Sequence, residues 1–424
     1  MYFCKCRPIR LCDNEMENHI FCRDLRDVEA KFHCISVQRS SWCAPSIVAQ
    51  TQPVFVADVT DWLGYQNRWW FYPGNLDIAL PVGLPPDITV EYVELAGINT
   101  VIITPKAFKS RTSPGPALVF YHGGGWVFGS LRTYMEILAM AAEETGFVVI
   151  SPEYRRAPQF PFPIPYEDCL NVTLNFMKIS EKFNVDPNKL VLIGDSAGGN
   201  LAMSITVTLI EMNKEDPTLP LPAMTTLIYP VLQMINFRLP SYQQNLQFLF
   251  PKLVAPKFWL AYIGYNDKLD LSHIIAENGH VNYKNETVQS FKALVNADLV
   301  PERYKSRGYN NTMATFTEDE KAMLTDEVFS HFERHYLDVR VAPLMASDEI
   351  LAKMPRTHIL VCEYDTLRDD GVLLFERLKK LNKDVTFQHL PDTLHGSVSL
   401  GAVFKGSHYG QQNRDLFKVV RDNF

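Results

Sequence analysis

The sequence predicts an α/β fold, a mostly parallel central sheet with helices on both faces and an inserted helical lid. Three observations carry the prediction. Short apolar runs that do not alternate recur from PALVFY to VTFQHL, as strands buried on both faces require. Stretches of helical length separate them, the order expected when crossovers build a parallel sheet. Between two late runs, from about residue 233 to 336, strand periodicity disappears while aromatic residues become dense.

Composition fits such a domain and excludes several others. Hydrophobic residues make up 46% and charged ones 21% of the 424 residues, which supports a packed core rather than a disordered tether. The length suits one large α/β domain with insertions or two to three smaller domains, and it excludes a mini-protein. Lys+Arg 41 against Asp+Glu 48 gives a net charge of −7. With no basic run interleaved with aromatics, nucleic acid is not an expected partner, and a small substrate is. No window reaches the roughly 18 apolar residues of a membrane span, the best stretch, Pro217 to Phe237, being broken by Pro220, Pro222 and Pro230. The first residues, MYFCKCRPIRLCDNEMENHIF, mix both charge signs before any apolar block, unlike a secretory signal.

The elements follow in order. Residues 1–50 read as a Cys-rich, poorly ordered leader holding Cys4, Cys6, Cys12, Cys22, Cys34 and Cys43, while Cys169 and Cys362 stand apart. There is no C-x-x-C pair, and zinc, disulfides or a leader without structure all remain compatible with the spacing. The domain from 51 to 424 opens with aromatic text at Trp62, Trp69 and Trp70 and a Pro-rich hinge, PVGLPPD. ITVEYVEL and INTVIITP, parted by Ala96-Gly97, read as a β-hairpin. PALVFY leads through a Gly loop to a helix over Leu131 to Thr145. FVVISPEY leads through a Pro-rich loop to a helix from about Tyr166 to Phe183, and KLVLIG to a helix from Ser196 onward. TTLIYPVL, THILVCEY and VTFQHL continue the sheet. The interval 233–336 is too long for a plain loop and is expected to be a helical lid. Most of its aromatics pack it onto the core, and a minority line a substrate pocket.

Four places carry chemistry. Gly194-Asp195-Ser196-Ala197-Gly198-Gly199 follows a strand and opens a helix, the context in which small neighbours let the chain turn sharply and present a serine Oγ above the sheet. A Gly-rich helix start with a capping serine would look the same. His122-Gly123-Gly124-Gly125-Trp126 follows PALVFY. Its bare amides suit an oxyanion hole made by Gly123 and Gly124 with Ala197, whereas a phosphate cradle would need a helix starting at the glycines and a Walker-type lysine. The general base expected on a late loop is His395 in PDTLHGS. His331 and His335, four apart, lack the HExxH context of a metal site and read as a solvated face, and His122 is assigned to orienting backbone. Asp365, at the end of THILVCEY, is placed to hold the imidazole tautomer, while Asp369 and Asp370 read as helix-capping acids. The order Ser196, Asp365, His395 is the one used by the α/β-hydrolase fold. No metal or cofactor is required by this chemistry.

From about Ile88 onward the chain resembles the arylacetamide deacetylase branch of the hormone-sensitive-lipase-like α/β-hydrolases. The resemblance rests on YHGGGWVFGS, PEYRRAPQFPFPIPYED, GDSAGGNLA, LIYPVL, LPSYQQNLQFLF, DVRVAPL, CEYDTLRDDG and LHG in that order. It implies hydrolysis of carboxylic esters or arylamides, with the aromatic lid favouring lipophilic substrates. Sterol-ester or acylglycerol lipase activity is the neighbouring alternative, and a non-catalytic receptor on the same fold the more distant one, at odds with a retained His395. The resemblance also implies membrane association in the endoplasmic reticulum lumen through a hydrophobic anchor that this sequence does not contain, which leaves a cytoplasmic location as the alternative. Val127 stands where several relatives carry cysteine, so Cys362 is expected to lack a bridging partner. Three sequons, at Asn171, Asn285 and Asn310, would be usable in a secretory compartment, the first being a chance match in a core helix.

Overall fold

The computed structural model describes residues 84–245, 253–265, 270–283, 285–310, 312, 314–399 and 406–424. The expectations for the Cys-rich leader, for the aromatic text around Trp62 and for the second half of SYQQNLQFLF lie outside the described residues.

Eight strands form one sheet in the order β1-β2-β4-β3-β5-β6-β7-β8. They are β1 (Ile88–Leu95), β2 (Ile98–Pro105), β3 (Gly115–Tyr121), β4 (Val148–Pro152), β5 (Val185–Asp195), β6 (Met224–Ile228), β7 (Arg356–Tyr364) and β8 (Val385–Leu394). β1 and β2 make the expected hairpin, with Leu95 opposite Ile98. Ala96 and Gly97 both take positive φ, 52° and 80°, the backbone twist that tight hairpin turns need. β2 meets β4 antiparallel, and every pairing from β4 to β8 is parallel. All seven residues of β3 and all five of β6 are buried, which is why these runs lack alternation.

The helices behind the strands are α1 (Leu131–Thr145), α2 (Ile164–Ile179) and α3 (Ala197–Glu215). α1 starts where expected because Ser130 and Thr133 form a reciprocal capping box, and it stops at Gly146 in the left-handed region, φ 70°. The run TTLIYPVL is shorter as a strand than its composition suggests. It ends at Ile228 because Tyr229 has φ 34° and Pro230 has no N–H to give the ladder. VTFQHL runs longer than expected, through a register shift that carries β8 to Leu394 opposite Tyr364.

Between β6 and β7 the described residues contain helices and turns and no strand. Among these helices are α4 (Pro240–Gln244), α5 (Val254–Tyr262) and α6 (Asp326–Tyr336). After the sheet resumes, α7 (Arg368–Lys380) and α8 (His408–Asp422) complete the packing. α5 is docked by aromatic contacts. The Trp126 ring stacks on Tyr262 at 4.1 Å and 6°, Trp259 lies 4.8 Å from Trp126, and Phe258 meets Phe128 edge-on at 5.6 Å. Trp126, Trp259 and Tyr262 are fully buried, so these rings serve packing.

Candidate active site

The parallel strands end on one edge of the sheet, and the candidate residues sit just past three of those ends. Ser196 follows β5 and precedes α3 with φ 56° and ψ −119°. Such a conformation costs on the order of 1–3 kcal/mol for a non-glycine residue and is held by the surroundings: Ser196 N–H donates to Ile228 O at 2.9 Å. Its neighbours have no alternative to glycine. A Cβ on Gly198 would stand 1.9 Å from Tyr121 O, and one on Gly194 would stand 2.2 Å from Gly198 O.

Asp365 and His395 each lie one residue past the ends of β7 and β8. His395 Nε2 is 2.9 Å from Ser196 Oγ, and His395 Nδ1 is 2.9 Å from Asp365 Oδ2. A carboxylate only accepts, so Nδ1 carries the proton toward Asp365 and Nε2 is left to accept from the serine hydroxyl. Asp365 is buried, its Oδ1 accepting Leu367 N–H at 2.8 Å. Three residues separated by up to 199 positions thus form one continuous relay. A cavity of about 820 Å³ elsewhere, between Val281–Tyr283 and α6, contains none of them.

The loop after β3 corrects one sequence expectation. Gly123 N–H donates to Asp195 Oδ1 at 2.9 Å and to Tyr134 OH at 3.0 Å, which removes it from the oxyanion donors. Among the described residues, Gly124 and Gly125, with φ 109° and 62°, donate in no backbone pair of the loop. The Ala197 amide, first in α3, is among those a helix leaves without an internal acceptor. Among the described residues, the amides left to face an oxyanion are therefore those of Gly124, Gly125 and Ala197. Gly125 is obligatory as glycine, because a Cβ there would lie 2.5 Å from the Phe258 ring. His122 is buried, its Nδ1 2.9 Å from Gly123 O and its ring stacked on Tyr154 at 4.2 Å. Burial lowers its pKa to about 3, so it shapes the loop as a neutral ring.

Asp369 and Asp370 do not cap α7, whose N-cap is Leu367. Both are buried and reach across to the chain that leaves β6. Asp369 Oδ2 accepts Ser241 N–H at 2.7 Å. Asp370 accepts Leu232 N–H at 2.8 Å, Gln233 Nε2 at 3.1 Å and Tyr242 OH at 3.3 Å. Ser241 Oγ donates to Thr366 O at 2.6 Å, and Asn245 Nδ2 donates to Asp365 O at 2.9 Å. α4 and its flanks therefore clamp the loop that carries Asp365, a role with no signature in the sequence. His331 and His335 are likewise not a solvated face. Both are half-buried, packed against Tyr265 and Phe162 respectively, and burial lowers the His331 pKa to about 4.

Cys169 and Cys362 are buried free thiols. Among the described residues no helix is long and apolar enough to cross a membrane, and no His/Cys/Asp/Glu cluster could hold a metal ion.

A serine, imidazole and carboxylate in series at the carboxyl ends of parallel strands define a class, the hydrolases of the α/β-hydrolase fold. The family model described as alpha/beta hydrolase fold matches residues 118–296 and 282–399. The chain is 34% identical over 322 residues to human arylacetamide deacetylase-like 3, covering 74% of each chain. It is 34% identical over 343 residues to arylacetamide deacetylase of Oryctolagus cuniculus, covering 80% of this chain and 81% of that one. Neutral cholesterol ester hydrolase 1 of Bos taurus is 34% identical over 288 residues, 66% and 67% of the two chains. A crystal structure of carboxyl esterase 2 from the fungus Tuber melanosporum shares the fold, with a TM-score of 0.55, 22% identity and coverage of 85% and 97%. The chain belongs to the arylacetamide deacetylase branch of the hormone-sensitive-lipase-like α/β-hydrolases, and it is a carboxylic ester hydrolase.

Proposed function

We propose that Ser196 is the nucleophile of this hydrolase, His395 its general base and acid, Asp365 the group that orients and steadies the imidazolium, and the amides of Gly124, Gly125 and Ala197 the oxyanion donors. His395 Nε2 takes the Ser196 hydroxyl proton as Oγ bonds to the substrate carbonyl carbon, and the carbonyl electrons move onto oxygen facing those amides. Collapse of the tetrahedral intermediate breaks the bond to the alcohol or arylamine, which leaves with the proton from His395. Water then attacks the acyl-serine by the same route, releasing the acid and restoring Ser196. The observation that carries the reading is the pair of 2.9 Å contacts His395 makes with Ser196 and Asp365.

The segment between β6 and β7 acts as the lid over this site, and Phe258 of α5, beside Gly125, favours lipophilic esters and arylamides. Kinship with arylacetamide deacetylase supports small aryl leaving groups, and kinship with neutral cholesterol ester hydrolase 1 supports a second reading, a neutral-lipid lipase. The same kinship supports the lumen of the endoplasmic reticulum as the location and a membrane as the neighbouring surface. Labelling with a fluorophosphonate tests the nucleophile: the wild type should react at Ser196 and Ser196→Ala should not. A series of p-nitrophenyl esters from acetate to palmitate separates the two substrate readings, since an optimum at the short end excludes the lipase.

A further inference from the structure

The carboxylate before the serine, Asp195, has no part in the relay, yet it is buried and holds three separate pieces of the site. Its Oδ1 accepts Gly123 N–H at 2.9 Å; its Oδ2 accepts Tyr134 OH at 3.0 Å and Tyr229 OH at 3.3 Å. Tyr134 OH in turn accepts the same Gly123 N–H at 3.0 Å and lies 3.5 Å from Ser399 Oγ, while Tyr229 OH accepts Val398 N–H at 3.3 Å. The Tyr229 ring stands 4.8 Å from the His395 ring. One carboxylate therefore joins the glycine loop, the end of β6 and the segment just after His395. Space around it is closed as well, since a Cβ on Gly123 would lie 2.7 Å from Asp195 Oδ2.

We propose that Asp195 is a positioning residue for the reaction. By fixing Gly123 N–H it sets the peptide planes that follow, so that the Gly124 and Gly125 amides face the developing oxyanion, and through Tyr229 it ties that loop to the backbone that carries His395. Buried and accepting three donors, it offers what a rigid polar hub requires, every member paired. The inference rests on the reading of Ser196 as nucleophile given above.

The test compares Asp195→Ala and Asp195→Asn with wild type on p-nitrophenyl acetate, with kcat expressed per site titrated by fluorophosphonate. Asp195→Ala should lower kcat about a hundredfold, the loss typical of a displaced oxyanion donor, with KM changed less than twofold. Asp195→Asn keeps an acceptor for Gly123 N–H and should restore kcat to within about tenfold of wild type. A purely structural role would reduce the titre of active sites and leave kcat per site unchanged, and that result overturns the proposal. Should Asp195→Ala not fold, Tyr229→Phe decides the matter: it deletes the hydroxyl through which Asp195 reaches Val398 N–H while keeping the ring, and an unchanged kcat per site refutes the inference. An inert, unlabelled wild type removes the nucleophile reading and this inference together, whereas an active wild type with an equally active Asp195→Ala removes the inference alone.

Discussion

Replacing Gly125 by alanine tests the assignment of the oxyanion loop most directly. Gly125 has φ 62°, where an L-residue costs about 1–2 kcal/mol. Its new Cβ would lie 2.5, 2.6 and 2.8 Å from Cγ, Cδ1 and Cδ2 of Phe258, so the ring or the loop must move by roughly 1 Å, ordinary carbon contacts being about 3.5–4.0 Å. Phe258 sits on α5 beside the buried Trp259 and close to Phe128, so the loop is expected to yield. Loss of one oxyanion donor then lowers kcat by about a hundredfold to a thousandfold, on the order of 3–4 kcal/mol in the barrier. Turnover of p-nitrophenyl acetate and thermal unfolding are measured on Gly125→Ala, Phe258→Ala and the double variant. Relief of the clash in the double variant should bring kcat back to within about tenfold of Phe258→Ala, leaving only the backbone strain. If Gly125→Ala keeps wild-type kcat, the Gly125 amide is not a donor. If the double variant is no better than the single one, the Phe258 contact is not what displaces the loop.

Three further outcomes follow from the geometry. Asp365→Asn should fold normally and lose about ten-thousandfold in kcat, because an amide there allows the wrong imidazole tautomer; steady-state kinetics beside a thermal melt checks both halves. Removing the clamp on that acid with Asn245→Leu, which deletes the donor to Asp365 O, should lower kcat severalfold while KM holds, and a KM effect alone would argue against a role for α4 in placing Asp365. Burial pushes Asp370 up to about 7 from an ordinary value near 3.8. The folded state therefore binds this proton more tightly than the unfolded chain, and stability should fall as pH rises from about 4 to about 7, by on the order of 4 kcal/mol from this group. Asp195, raised to about 6 by burial, adds to the same slope. Melting temperatures at pH 5 and pH 8 should differ less in Asp370→Asn than in wild type, and an undiminished difference would show that Asp370 is ionised at both.

Much of this was legible in the chain itself, and the reason is local. A strand segment buried on both faces must be apolar, so β3 and the inner stretches of β5 and β7 announce themselves. A serine held at positive φ needs small neighbours on both sides, so Gly194 and Gly198 mark the elbow. Ser196 and Asp365 each follow such a strand, His395 follows the half-exposed β8, and the order of the three along the chain selects the fold. The sequence also shows that three glycines would expose amides near the serine.

Which of those amides is free was decided in three dimensions. Three identical residues in a row carry no internal mark of register, and Gly123 is excluded because Asp195, 72 positions away, captures its N–H together with Tyr134. The same holds for Asp369 and Asp370, which look like helix caps in one dimension and are spent instead on Ser241 and Leu232 across more than a hundred residues of intervening chain. Local composition determines which backbone a segment can adopt, because steric limits act between near neighbours. The partner a buried polar group finds depends on which distant segment folding brings beside it, and only the tertiary structure contains that pairing.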